Sequence, residues 1–334
     1  MPPRQRLLIF GFSCTSLRQG YATTLLPSLR SRSEHTEVVV SGLGGLGPPV
    51  VPFALDRLFA ERGPFTHVLL EIGTSIYART ARESEAEATA LIRECAHRIT
   101  AARARPALLL LHRDGLDPQR IRWNDLLRSY CEAHQIPLID LAEGLIADIG
   151  IEGVHSLLRD NVHTTPEGSR VLSDRMLPGI LAWLASEDPV PQLDAPEFVR
   201  KAHELAPHAV ATDRFEGNNF AMNCAVLEGG ESLSVQFARP LRAFGITFVY
   251  GPRSGTFSIT LNGDHEFEFA GYDEFSFYRR IGMRSFGPPQ GRWVSSIAIK
   301  QRSELPDVQL KAGNPDLSPR RGLVGSLLYF DKAN

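Results

Sequence analysis

The sequence predicts a parallel α/β domain followed by a smaller antiparallel β domain. Three observations predict it. Brief, nearly continuous apolar runs alternate with longer amphipathic stretches over the first 187 residues. A proline-broken segment follows, and beyond it the chain turns to apolar–polar alternation punctuated by Gly and Asn. Unbroken apolar runs of strand length fit strands covered on both faces, and their alternation with helices fits a parallel sheet with crossover connections. At 334 residues the chain has room for two cores.

In chain order, the runs Arg6–Gly11, Thr36–Ser41, His67–Ile72, Ala107–His112 and Pro137–Asp140 read as the five parallel strands. The clearest helical patterns between them are Glu83–Arg103 and Pro118–His134. Pro166 and Glu167 open a final helix to about Ala185, with Thr164 or Thr165 placed to cap it. The first domain is therefore expected over 1–187. Pro189, Pro191, Pro196 and Pro207 mark 188–207 as a linker with at most one short helix, and the β domain is expected over 208–334. Within it Leu233–Phe237, Gly245–Tyr250, Thr256–Leu261, Glu266–Phe269 and Ser295–Lys300 alternate, and Asn262-Gly263 signals a hairpin turn. Several short strands at this spacing suggest a sandwich or jelly roll.

Composition narrows the function classes. Apolar residues make up 43% and charged residues 22%, as in soluble globular proteins. A formal charge of −2 without a basic run gives no electrostatic footprint for nucleic acid. No apolar stretch reaches the roughly 18 residues of a membrane span. Leu7 to Phe10 is too short for the apolar core of a signal peptide and reads as a buried first strand. Cys14, Cys95, Cys131 and Cys224 lack paired spacing, so reduced thiols and a cytoplasmic location are expected. His97, His112, His134 and His155 lie scattered, without HExxH or Cys/His ligand spacing, so neither a metal site nor a cofactor is expected.

Two segments carry candidate chemistry. Asp160-Asn161-Val162-His163 lies on the loop entering the last helix, beyond the carboxyl ends of the strands where open α/β sheets collect ligands. An Asp three residues before a His can aim its carboxylate at the ring, fixing the tautomer and stabilising an imidazolium. Read alone, the loop fits a polar helix entrance equally well. Gly11-Phe12-Ser13-Cys14-Thr15-Ser16 ends the first strand on the same rim. Ser13 there suits a nucleophile whose own N–H faces an oxyanion, or merely a helix cap. Cys14 is a rival nucleophile. Neighbours on an extended segment point oppositely, however, so only one of the two is expected to face His163.

Together these segments resemble the SGNH/GDSL hydrolase family over about residues 5–187. Its nucleophile block, normally Gly-Asp-Ser, corresponds to Gly11-Phe12-Ser13. Its glycine block corresponds to Gly42-Leu43-Gly44-Gly45, its Gly-x-Asn block to Gly73-Thr74-Ser75, and its Asp-x-x-His block to Asp160 through His163. The resemblance implies a flavodoxin-like sheet, a triad of Ser13, Asp160 and His163, and an oxyanion hole formed by Ser13, Gly45 and Ser75. It implies acyl transfer through an acyl-enzyme. Two departures stand out. Phe12 replaces an acid that does not attack, and Ser75 replaces an asparagine donor. Losing one such donor costs on the order of 3 kcal/mol of transition-state stabilisation, unless Thr74 or Asn124 substitutes.

Competing patterns are weaker. Gly42-x-Gly44-x-x-Gly47 matches a dinucleotide-binding turn. Pro48, Pro49 and Pro52 stand where its helix should run, and it follows a second strand rather than a first. Tyr250, Tyr272, Phe275, Phe277, Tyr278 and Trp293 are expected to pack the β core, though aromatics at loop ends also stack on sugars. Arg253, Arg279 and Arg280 would line an acidic-ligand groove or lie solvated. The expectation is a serine O-acyl ester hydrolase, deacetylating a sugar or polysaccharide, with no nucleic-acid or membrane partner. Its rivals are an O-acyltransferase with the same triad and a carbohydrate-binding protein with a decayed site.

Overall fold

The computed structural model describes residues 5–33, 35–75, 84–114, 118–287 and 290–333, the side chains of 118–122 excepted. The chain forms two compact units, Met1–Pro196 and Glu197–Asn334.

The first unit is built on five parallel strands: β1 (Gln5–Gly11), β2 (Thr36–Gly42), β3 (His67–Glu71), β4 (Arg105–Leu110) and β5 (Leu138–Asp140). Their spatial order is β2-β1-β3-β4-β5, the flavodoxin-like arrangement. Leu7 to Phe10 of β1 are wholly excluded from solvent, which is why that run carries no polar alternation. Between strands lie α1 (Ser13–Ser16), α2 (Tyr21–Arg32), α3 (Val51–Arg62), α4 (Glu85–Ala101), α5 (Pro118–Ala133), α6 (Leu141–Ser156) and α7 (Pro166–Ala185). Ser84 caps α4 through a reciprocal box with Glu87. The expected start of that helix at Glu83 lies outside the described residues. Thr165 caps α7 by accepting the N–H of Gly168 at 3.0 Å, and Pro166 occupies the first turn. One apolar core joins β1, β3 and β4 to α2 and α7.

Prolines did not prevent a helix after the glycine loop, contrary to the sequence argument. Pro48 and Pro49 fall in a 3-10 turn and Pro52 in the first turn of α3, where a missing N–H costs no intrahelical bond.

The second unit is a nine-stranded antiparallel assembly of β6 (Phe198–Glu204), β7 (Thr212–Gly217), β8 (Phe220–Glu228), β9 (Ser232–Tyr250), β10 (Thr256–Leu261), β11 (His265–Ala270), β12 (Arg280–Ser285), β13 (Arg292–Gln301) and β14 (Arg321–Lys332). The main path runs β11-β10-β13-β9-β14-β8-β7, with β12 added to β9 and β6 to β14. The expected strands Leu233–Phe237 and Gly245–Tyr250 are the two halves of β9. Pro240 falls where β9 outruns its partner, since β13 shifts register between Val294 and Ser296. The expected linker 188–207 also needs correction. Phe198–Glu204 pairs along β14 from Lys332 to Ser326, so its polar residues sit on a sheet margin rather than in a tether.

The aromatics divide. Tyr272 is buried as expected, whereas Phe275, Phe277, Tyr278 and Trp293 are exposed and do not pack the core. Arg280 stacks 3.8 Å over Tyr250 and is ion-paired to Asp273. Arg253 and Arg279 line a cavity of about 190 Å³ together with Asp213, Asp316 and Arg321. Among the described residues no helix is long and apolar enough to cross a membrane, and all four cysteines are buried and free.

Asn262 and Gly263 both adopt positive φ, 57° and 81°, as the hairpin signal required. The Asn262 amide donates to Trp293 O at 3.0 Å, and its oxygen accepts the Ser295 N–H at 2.7 Å. Asn262→Ala loses both bonds and places a Cβ-bearing residue without local compensation in the left-handed region. A destabilisation of about 1–3 kcal/mol is expected, read from denaturant unfolding of the full chain.

Candidate active site

Ser13 stands where β1 ends and the chain reverses into the short turn Ser13–Ser16. Two glycines on adjacent strands make the turn possible. Gly11 pairs with Gly42 across β1 and β2. A Cβ on Gly11 would lie 2.2 Å from Thr15 Oγ1, and one on Gly42 2.5 Å from Ser16 N. Any side chain at either position would push the nucleophile turn off the sheet. Phe12, the departure at the acidic position, is fully buried and packs edge-on to Phe10. It anchors the turn through hydrophobic burial.

His163 and Asp160 share a tight loop. Asp160 Oδ1 accepts the backbone N–H groups of Val162 (3.0 Å) and His163 (2.8 Å), and Arg159 N–H donates to His163 O at 2.9 Å. His163 Nδ1 lies 2.8 Å from Asp160 Oδ2, and His163 Nε2 lies 2.9 Å from Ser13 Oγ. Because a carboxylate only accepts, Nδ1 carries the proton and Nε2 is left to accept from the Ser13 hydroxyl. The three residues expected to act together are thus brought together. Burial alone would raise the Asp160 carboxyl. The hydrogen bonds from the His163 backbone and ring and from Val162 outweigh it, holding the carboxyl below its ordinary value.

The two loops are tied, one contact directly and two through α7, by bonds that no sequence pattern announced. Ser169 donates to Gln19 O at 2.7 Å, Ser173 to Tyr21 O at 2.9 Å, and the Cys14 thiol to Val162 O at 3.5 Å. Cys14 faces the interior, and burial pushes its thiol up to about 12, so it is a neutral filler. The turn is helical rather than extended, so the expected separation of Ser13 from Cys14 holds for a different geometric reason.

The glycine block lies against the nucleophile. A Cβ at Gly44 would sit 3.7 Å from both Cα and Cβ of Ser13, and Gly45 follows at φ 81°. Ser75 closes the 3-10 turn after β3 and is buried. Thr74 is committed elsewhere, its N–H and hydroxyl donating to Glu71 Oε1 at 3.0 and 2.8 Å. Asn124, largely buried on α5, sets its Oδ1 3.1 Å from where a Gly73 Cβ would be. Of the histidines expected to be scattered, His112 and His155 converge on Asp114.

No family model matches the sequence, and no curated protein matches it. Solved structures do match. A two-domain esterase active on acetylated mannans is 12% identical, with a TM-score of 0.67 over 98% of this chain and 92% of that one. The chain shares that two-domain fold. The same kind of esterase co-crystallised with mannopentaose gives 11% identity and a TM-score of 0.66, over 99% of this chain and 91% of that one. A member of the lipolytic G-D-S-L family from Veillonella parvula DSM 2008 is 18% identical. It covers 52% of this chain and 97% of its own at a TM-score of 0.44.

Behind the nucleophile, Glu71 is fully buried, its Oε2 3.0 Å from the Gly11 Cβ position. Burial raises its carboxyl, against hydrogen bonds from Thr74 and the Phe12 backbone and the nearby Arg113 charge. The folded protein therefore keeps a proton that the unfolded chain loses near 4.5. Stability is full below that pH and falls as pH rises, until the buried carboxyl itself ionises. Glu71→Gln is expected to flatten this decline. Thermal midpoints of both proteins between acid and alkaline pH check it, and parallel curves would refute it.

Proposed function

We propose that the chain is a serine O-acyl ester hydrolase that acts through an acyl-enzyme on an acetylated sugar or polysaccharide. The observation that carries the reading is the unbroken run of hydrogen bonds from Ser13 Oγ through His163 to Asp160, at 2.9 and 2.8 Å. In this reading His163 Nε2 takes the Ser13 proton as Oγ attacks the ester carbonyl, and Asp160 holds the imidazolium that forms. The developing oxyanion is held by the N–H groups of Ser13 and Gly45. His163 then returns its proton to the leaving alcohol, and a water activated the same way releases the acid. The saccharide assignment draws on the shared fold with an esterase active on acetylated mannans. The exposed aromatics Phe277, Tyr278 and Trp293 of the second unit are compatible with it.

The test is hydrolysis of a short activated acyl ester, then of acetylated manno-oligosaccharides. Ser13→Ala and His163→Ala are each expected to lower kcat by on the order of 10³-fold or more, and the double variant by no more than either alone, because the two act as a unit. Activity surviving both substitutions would sink the assignment. Product partitioning towards an added sugar alcohol would instead identify an acyltransferase.

The third oxyanion donor separates Ser75 from Asn124. We expect the true donor, changed to Ala, to cost about 10²-fold in kcat with little change in KM, while the other costs less than about threefold. Ser75 is the donor of this proposal, so the larger loss in Asn124→Ala would transfer that role to α5.

A further inference from the structure

We propose that His112, Asp114 and His155 form a binding site for one divalent cation of the zinc class, separate from the Ser13 centre. His112 and Asp114 follow β4 with Arg113 between them, and His155 belongs to the last turn of α6. Both imidazole Nε2 atoms meet the same carboxylate oxygen, Asp114 Oδ1, at 2.7 Å from His112 and 2.9 Å from His155. The three ligand atoms lie within 4.8 Å of one another. A tetrahedral cation with bonds of about 2.0–2.1 Å holds its ligand atoms about 3.3 Å apart, so each imidazole need withdraw from Asp114 Oδ1 by only about half an ångström, while the two ring nitrogens, within 4.8 Å of each other, settle to the same spacing.

The donor set decides the class of ion. Two imidazoles and one carboxylate suit Zn²⁺ and its neighbours, whereas Mg²⁺ and Ca²⁺ prefer oxygen alone. The surroundings favour a cation. Glu152 lies 4.0 Å from His155 Nδ1, beyond hydrogen-bond distance, and adds negative charge on the far side of that ring. The His112 ring is mostly buried and lines a small apolar cavity with Leu111, Leu145 and Val154, which limits water on that flank. A fourth position on the exposed His155 side would take water.

The ion would fasten three segments. Asp114 N–H donates to Asn161 O at 2.7 Å, within the loop that carries Asp160 and His163. A cation on Asp114 thus ties the exit of β4 and the end of α6 to that loop.

A second imidazole pair complicates detection and supplies the control. His203 and His208, in the other unit, have Nε2 atoms 3.1 Å apart. The experiment uses untagged, chelator-treated full-length protein. It is titrated with Co²⁺, read by visible d–d absorption, and with Zn²⁺, read by calorimetry and thermal unfolding. One equivalent binding in the micromolar range or tighter, and a rise in Tm of several degrees, is expected. His155→Ala, at a half-exposed position, and Asp114→Asn should weaken binding by at least about 10–100-fold and abolish the Tm rise. His208→Ala should leave both unchanged. Binding weaker than millimolar would overturn the site, as would binding that survives His155→Ala and disappears in His208→Ala. Ester hydrolysis plays no part in these readouts, so a failure here leaves the Ser13 proposal standing.

Discussion

The 2.9 Å hydrogen bond between Ser13 and His163 joins residues 150 apart in the chain, and the arrangement around it serves to hold that one distance. Neither partner is long enough to search for the other, so the backbone carrying each must be fixed to within a fraction of an ångström. The fixing comes from beneath and from the side. Beneath, Gly11 and Gly42 let the nucleophile turn settle onto the strand ends, and buried Phe12 pins it. From the side, Cys14 links the turn to the loop entering α7, and Ser169 and Ser173 of α7 hold Gln19 and Tyr21 just beyond the turn. The sheet supplies the rim, and these short polar ties convert the rim into a defined geometry.

Asp160 illustrates how local and tertiary constraints divide the work. Its Oδ1 closes the loop on itself by accepting two backbone N–H groups, and both oxygens are within reach of the ring. Roughly half of the side chain is open to solvent, so its charge is partly screened. Its firmest contribution is orientation, which hydrogen-bond geometry supplies even where solvent weakens the field. Glu71 is the opposite case. It is a carboxyl sealed under the turn, its pKa pushed up by burial, spending its capacity on Thr74 and leaving that hydroxyl unable to serve a reacting oxygen.

The parallel strands were legible because full burial writes an unbroken apolar run, and Asp160 with His163 because three residues on one loop are a local relationship. The helices α2, α3 and α6 were not. Pro27 interrupts the first, Pro52 opens the second, and the third contains Gly150 at φ 69°, so each carries a breaker that tertiary packing overrides. Strand β6 escaped notice because a marginal strand needs little apolar alternation and the preceding prolines suggested a tether. The His112–Asp114–His155 group shows a further limit. Spacing rules find ligands that share one helix or loop, whereas these join through the packing of α6 against the end of β4. Ser75 was visible as a departure from a motif, but whether Asn124 answers for it depends on where α5 packs.

The 19-residue strand β9 carries a consequence for how the second unit comes apart. Its first half hydrogen-bonds to β13, its second half to β12, and β14 runs along it from Arg242 to Val249. Opening β12, β13 or β14 breaks bonds to this one strand, so these four strands have no natural seam along which to part, whereas β6, β7 and β11 at the margins can peel away without touching it. Melting should therefore be all-or-none across β9, β12, β13 and β14, with backbone amides near the middle of β9 exchanging with solvent only through complete opening of that group. A protease would reach these four strands only after they open together, so cleavage within them would track the stability of the group rather than of any one loop, while the marginal strands could be cut sooner.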